Sequence, residues 1–101
     1  MRVYITKSAL KSLDKLKSSN LEMAQKIRHF IEVRLVESEN PRTFSNAKKL
    51  HSKRNLFRWR LGDYRIVGEF KGDKVVIKEF CEILLIGDRK EVYEKLKQKG
   101  Y

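Results

Sequence analysis

Strict alternation of apolar and basic residues marks the segment from Phe57 to Leu61, where Arg58 and Arg60 separate Phe57, Trp59 and Leu61. A period of two is the signature of a half-buried strand. Gly62-Asp63 interrupts it and a second alternating run follows from Tyr64 to Phe70. The pattern predicts a hairpin whose two-residue loop, with Gly first, suits a type II′ turn. Such a loop pairs Leu61 with Tyr64 and Arg60 with Arg65. Arg58, Arg60 and Arg65 then share one face, and Phe57, Trp59, Tyr64 and Ile66 the other. Two guanidinium groups directly opposite each other cost stability unless an anion lies between them. The arrangement reads either as a solvated strand face with splayed side chains or as a preformed phosphate seat, since Arg is a planar fork of donors that stays charged.

Upstream, Arg2 to Ile5 predicts a short first strand with Val3 and Ile5 on one face and Tyr4 on the other. Thr6 can cap a helix over Lys7 to Ser18, in which Ala9, Leu10, Leu13 and Leu16 recur at helical spacing. Ser19 and Glu22 have capping-box spacing, and Leu21, Ala24, Ile27, Ile31 and Leu35 predict a second helix to about Val36. Two amphipathic helices with a short joint form an antiparallel hairpin that can lie on a sheet. His29 falls off the apolar stripe and reads as a surface residue. Asn40-Pro41 stops the helix, and Glu37 to Asn55 reads as a loop pinned to the core by Phe44 and Leu50. His51, alone in this loop, reads as a backbone or phosphate contact in preference to a catalytic base.

Beyond the hairpin, Gly72-Asp73 offers a second turn, followed by a long apolar strand through Val75, Val76, Ile77 and Phe80 to Ile86. Its continuity suggests a place near the sheet centre and its length invites a bulge beyond Lys78. Arg89 to Lys99, with Val92, Tyr93 and Leu96 at helical spacing, predicts a short terminal helix. The expected class is α+β, in the order β-α-α-β-β-β with a possible C-terminal helix. An antiparallel sheet of about four strands carries the helical hairpin on one face and leaves the other open and basic.

Composition narrows what such a sheet can meet. With 101 residues, 41% apolar, the expected organisation is a single domain over 1–101. No run of about 18 apolar residues suggests a membrane span, and the N-terminal stretch lacks the apolar core of a signal peptide, so the cytoplasm is the expected compartment. The single cysteine, Cys81, has no partner for a disulfide or a metal site and reads as a buried hydrophobe. Twenty-four basic against thirteen acidic residues give a net charge of +11, which implies a polyanionic or acidic partner. From Pro41 to Gly62 there are Arg42, Lys48, Lys49, Lys53, Arg54, Arg58 and Arg60 and no acidic residue. This basic run leads directly into the arginine-bearing strand.

The order of elements, together with WRLGDYRIV and then IGDRKEVY, resembles the RelE/ParE superfamily of toxins from type II toxin-antitoxin pairs. The resemblance covers essentially the whole chain. Members of the RelE branch are ribosome-dependent endoribonucleases that cut messenger RNA without a metal or other cofactor. The resemblance therefore implies attack of a 2′-hydroxyl on the adjacent phosphate, leaving a cyclic phosphate and a 5′-hydroxyl. Arg58, Arg60 and Arg65 match the family's two basic strand positions and its turn Arg, while Arg89 and Tyr93 match its C-terminal motif. Tyr93 can also stack on a base. Lys48, Lys49, Lys53 and Arg54 are the expected RNA-binding residues. Arg stands at strand positions where relatives often carry Lys, and cannot act as a base. Asp88 stands where many have His, and Gly68 where an aromatic is common. Proton transfer then falls to Asp88, Glu69 or Tyr93, or to the ribosome.

The expected partners are ribosome, messenger RNA and an acidic antitoxin lying beside the helical hairpin. A ParE-like poison of DNA gyrase, with no chemistry of its own, is the alternative, and an RNA-binding relative without activity is a third reading.

Overall fold

The computed structural model describes the backbone of residues 1–73 and 77–101 and the side chains of residues 1–72 and 79–101. Strand β1 (Arg2–Ile5) leads into helix α1 (Lys7–Ser19), whose first turn is closed by Thr6, its Oγ1 accepting from the Ala9 N–H at 3.1 Å. Helix α2 (Leu21–His29) starts one residue later than the Ser19 capping box predicts. Asn20 is its cap, accepting from Met23 N–H at 3.1 Å, because α1 runs on through Ser19. From Phe30 to Leu35 the path widens into a π-helix, and helical geometry continues to Glu37.

A single 3₁₀ turn follows (Pro41–Thr43), and then strands β2 (Ala47–Lys49), β3 (Leu56–Leu61), β4 (Tyr64–Asp73) and β5 (Ile77–Asp88) and helix α3 (Arg89–Gln98). The sheet has five strands in the order β1-β5-β4-β3-β2. Two corrections to the expected sheet follow. The extra strand is β2, which forms inside the segment expected to be loop and pairs with β3 through Ala47 and Trp59. The sheet is mixed, because β1 lies parallel to β5. The helical hairpin carries the chain from β1 across one face to the far edge, and the three later strands return antiparallel to β1's side.

The hairpin has the predicted register, Arg60 opposite Arg65 and Leu61 opposite Tyr64. Gly62 has φ 58° while no described residue other than Gly has positive φ, which fits the type II′ turn. The turn expected at Gly72-Asp73 is absent: β4 continues through Asp73, which pairs with Ile77. The strand expectation at Val75 and Val76 lies outside the described residues. The expected bulge lies at Leu84, where β5 shifts register between the pairs Val67–Leu85 and Gly68–Ile83.

One face of the sheet packs Phe57, Trp59, Ile66, Phe70, Cys81, Ile83 and Ile86 against Ala9, Leu13, Leu16, Ala24, Ile27, Phe30 and Leu35 of the helices. Leu10 and Leu21, expected in this core, are exposed. Phe44 joins this core, as expected. The second face is not open. There α3 lays Val92 and Leu96 on Leu56, Val67, Leu84 and Leu85, with Leu50 and Tyr101 at the margin, and the bulge is what lets the neighbours Leu84 and Leu85 both turn inward. Cys81 is buried and free, its thiol pushed up to about 12 by desolvation. No described helix is long and apolar enough to cross a membrane.

Candidate functional site

At the turn end α3 covers the second face in part: Gly87 of β5 lies beneath Glu91 and Val92, Arg65 of β4 is buried, and β3 is open at Arg60. Because side chains of paired residues share a face, Arg60, Arg65 and Gly87 form one row across three strands, with Arg58 one pair further along β3. Gly87 adds no side chain to that row. Asp88 pairs with Tyr64, and α3 starts at the next residue.

These arginines sit in different surroundings. Arg60 is exposed, and its backbone is held by Asn46: the Arg60 N–H donates to the Asn46 carbonyl at 3.1 Å, and Asn46 Nδ2 donates to the Arg60 carbonyl at 2.8 Å. Arg58 is half-buried, with Nη1 donating to the same Asn46 carbonyl at 2.9 Å. Arg65 is only 8% exposed. Its Nη1 turns back over the hairpin and donates to the carbonyls of Gly62 at 2.9 Å and Tyr64 at 3.1 Å. The Nε groups of Arg58 and Arg65 are buried and find no acceptor among the described residues. Buried donors are almost always paired, and an unpaired one costs about 1–3 kcal/mol. Both arginines lie on the same face of the sheet.

Helix α3 supplies the neighbouring wall. Its N-terminus is tied to the hairpin by the Arg89 N–H, which donates to the Asp63 carbonyl at 3.1 Å. With Val92 and Leu96 facing the sheet, helical spacing puts Arg89 and Tyr93 together on one flank and Glu91 and Lys95 on the other. Arg89 is exposed and Tyr93 is 39% exposed, so both are available to solvent beside the arginine row.

The acidic groups have structural partners. Asp88 caps α3, Oδ1 accepting from the Glu91 N–H at 2.8 Å, a bond that lowers the Asp88 carboxyl below its usual range. The Glu91 carboxyl is raised by its hydrogen bond with Asp88. Glu69, 7% exposed, lies under α3. Its two oxygens accept from Arg54 Nε at 2.8 Å and Nη2 at 2.7 Å, which lowers its pKa. Lys71 lies 3.5 Å from Glu69 and 2.8 Å from Glu82. Arg54 also covers the Tyr101 ring at 4.4 Å from its centroid. Arg54 is thus braced to the sheet from inside, unlike Lys53, which is exposed in the loop. Lys48 and Lys49 are exposed on edge strand β2, Lys48 on the face of Arg58 and Lys49 on the opposite one. His29 and His51 are exposed. Among the described residues no three His, Cys, Asp or Glu side chains cluster to hold a metal ion.

Sequence reasoning passed over Asn46 and Tyr101, which shape this site, and did not assign the face that Leu96 takes. Asn46, the acceptor and donor for two arginines, carries no sequence signal. Leu96 and Tyr101 close the second face, and only the Val92/Leu96 spacing hints at it.

No protein-family model matches the sequence, and no curated protein matches it. Solved structures do. The archaeal RelE–RelB complex from Pyrococcus horikoshii OT3 is similar at 28% identity and TM-score 0.53, covering 87% of this chain and 93% of that one. The RelB–RelE antitoxin–toxin complex from Methanococcus jannaschii is similar at 24% identity and TM-score 0.65, over 91% and 96%. The fold is that of the RelE/ParE superfamily. YafQ from E. coli strain BL21(DE3) shares this RelE/ParE fold at only 8% identity, with TM-score 0.68 over 92% of this chain and 99% of that one. Five strands with β1 parallel to β5, and a C-terminal helix on the second face, are the form the RelE/ParE fold takes here.

Proposed function

We propose that the chain is the toxin of a type II toxin-antitoxin pair and acts as a ribosome-dependent endoribonuclease on messenger RNA. The observation that carries this reading is the gathering of Arg58, Arg60 and Arg65 on one face of the β3–β4 hairpin, with the exposed Arg89 and Tyr93 on α3. The reaction is the transfer of the phosphate within one strand. The 2′-oxygen loses its proton and bonds to phosphorus, the bond to the 5′-oxygen breaks, and that oxygen takes up a proton. The products are a 2′,3′-cyclic phosphate and a 5′-hydroxyl. Charge builds on the non-bridging oxygens as the phosphorane forms, and fixed guanidinium donors aimed there are worth most in a site with little water. Arg60 and Arg89, exposed to solvent, reach the phosphate, while Arg58 and Arg65, tethered through Nη1 to backbone carbonyls, add fixed positive charge beneath it.

Proton transfer is the less furnished half. Glu69 has both oxygens engaged by Arg54, and Asp88 is committed to capping α3, each with a lowered pKa that makes it a weak base. Tyr93, on the flank of Arg89, is the remaining protein group, with the ribosome supplying the other.

The antitoxin is assigned to the opposite side of the molecule. Val3, Tyr4, Ile5, Leu10, Leu13, Ile31 and Val36 line an apolar groove of about 230 Å³ between β1 and the helical hairpin. Tyr4, Leu10 and Val36 are exposed there, and similar chains have been solved with RelB bound. An acidic segment with apolar anchors suits both this groove and the net charge of +11.

The test is a translation extract programmed with one message. Added wild-type protein should cut the ribosome-bound message and leave cyclic phosphate ends, and Arg60→Ala or Arg89→Ala should suppress it. An intact message together with gyrase-dependent DNA breaks would replace this reading with the ParE-like one.

A further inference from the structure

Edge strand β2 brings one more cation to the arginine row. Lys48 stands directly opposite Arg58 of β3, so the two side chains share the second face. Lys48 is exposed, and among the described residues it has no carboxylate at ion-pair distance. Arg60, two residues along β3, is its diagonal neighbour, a separation of about 7–8 Å that a long side chain spans. Like charges directly opposite each other destabilise a strand pair. A lysine does guard a sheet edge against pairing with another chain, but a glutamate would guard it too and would neutralise Arg58. The fold alone does not ask for a cation at 48.

What Lys48 adds is chemical. A guanidinium keeps its protons, whereas an ammonium can give one up. The other proton carriers on this face are engaged: Glu69 by Arg54, Asp88 by the α3 cap, and Lys71 by Glu82 at 2.8 Å. His51 lies beyond the end of β2. The Glu91 and Lys95 flank of α3 faces Ser12 and Lys15 of α1 across a cleft, so the Arg89 and Tyr93 flank turns toward β3 and the edge strand. A phosphate over Arg60 then lies between two walls, with Tyr93 on one and Lys48 on the other. Displacement at phosphorus sets the attacking and leaving oxygens in line on opposite sides, and each needs a proton carrier within reach.

We propose that Lys48 is the proton donor to the leaving 5′-oxygen. This rests on the ribonuclease reading and moves that role from the ribosome to the chain. As the bond from phosphorus to the 5′-oxygen breaks, its electron pair stays on that oxygen, which takes a proton from the Lys48 ammonium. The neutral amine regains a proton from water, and the proton shed by the 2′-hydroxyl leaves to water on the opposite side, so the count balances.

Programmed ribosomes carrying a message with sulfur in place of the 5′-oxygen at the mapped cut test this, because a thiolate leaves without being protonated. On the ordinary message at saturating protein, Lys48→Ala and Lys48→Arg should both cleave about 10²–10⁴-fold more slowly than wild type. Lys48→Arg, which keeps the charge, should half-saturate the ribosomes at the wild-type concentration. On the sulfur-bridged message both variants should come within about threefold of wild type. Wild-type cleavage of the ordinary message by Lys48→Arg would leave Lys48 as charge alone and overturn the proposal. Losses of equal size on both messages, or rescue by sulfur in His51→Ala in place of Lys48→Ala, overturn it as well. If the wild-type protein cuts neither message, the ribonuclease reading falls and the donor with it.

Discussion

Replacing Arg54 by Ala separates a structural role from an RNA-binding one. Glu69 is 7% exposed, and its carboxylate is held by Arg54 at 2.7 and 2.8 Å. With Arg54 gone, among the described residues it keeps only Lys71 at 3.5 Å, a group already engaged by Glu82 at 2.8 Å. Stripping one partner from a buried ion pair costs about 3–5 kcal/mol. Here the Arg54 side chain is 38% exposed, so water reaches the gap and the cost falls to about 1–3 kcal/mol. Loss of the stack on Tyr101 adds about 0.5–1 kcal/mol. For a chain of this size a loss of about 1.5–4 kcal/mol lowers Tm by roughly 6–32 °C. The effect has a pH signature. Arg54 lowers the folded pKa of Glu69, so the pair's contribution is fully present above the unfolded carboxyl range and disappears as pH falls through the lower folded value. Thermal melts followed by circular dichroism should show a constant gap between wild type and Arg54→Ala from pH 8 to pH 5, narrowing below about pH 4. A variant with wild-type Tm but weakened RNA binding would refute the brace and return Arg54 to the RNA-binding loop.

Gly68→Ala should cost about 1–3 kcal/mol by overpacking, since the new methyl would stand 2.9 Å from both Cys81 Sγ and the Trp59 ring; urea denaturation measures it, and message cleavage by the folded fraction should not change. Arg60→Ala should lower message cleavage about 10²–10³-fold at unchanged Tm, whereas Arg65→Ala should lower both, because its guanidinium also ties the hairpin turn. Asp88→Ala should remove about 1 kcal/mol of helix capping and Asp88→Asn almost none, read from the Tm of each. Lys11→Ala, which relieves two like-charged neighbours, should leave Tm unchanged or raise it by the equivalent of about 0.4–1 kcal/mol.

Local alternation carried most of the sheet. Residues 57–70 hold their apolar set at period two but for Val67, and the turn needs Gly at one position, so register and facing followed directly from the sequence. Asn20 displaced Ser19 as a cap because α1 continued one residue further, a difference the two flanking helices decide between them. Strand β2 was illegible because three residues, Ala47 to Lys49, gain strand geometry only from pairing with β3. Gly68 in place of an aromatic was unexplained by pattern, and packing explains it: Trp59, reaching across from β3, fills the volume a side chain at 68 would need. The covered second face was the largest miss, since α3 declares itself amphipathic only through Val92 and Leu96, and nothing local says which face it will take.

The arginine row turns on a conflict that pattern and packing resolve differently. Pairing alone sets Arg60 and Arg65 opposite each other, which a bare sheet would disfavour. The fold relieves part of this by leaving Arg60 in water and bending Arg65 onto the Gly62 and Tyr64 carbonyls. Arg58 is likewise drawn to Asn46. Relief stops at Nη1, because backbone carbonyls at the turn and at Asn46 lie to one side of each guanidinium, and both Nε groups stay buried without an acceptor among the described residues. At about 1–3 kcal/mol each, two such donors are a large fraction of the stability of a 101-residue chain. Apolar or shorter residues at 58 and 65 would remove that cost at once. A phosphate over the exposed Arg60 would offset the like charges that this pairing crowds together, and loss of message cleavage in Arg60→Ala at unchanged Tm is the outcome that separates a site from a solvated strand.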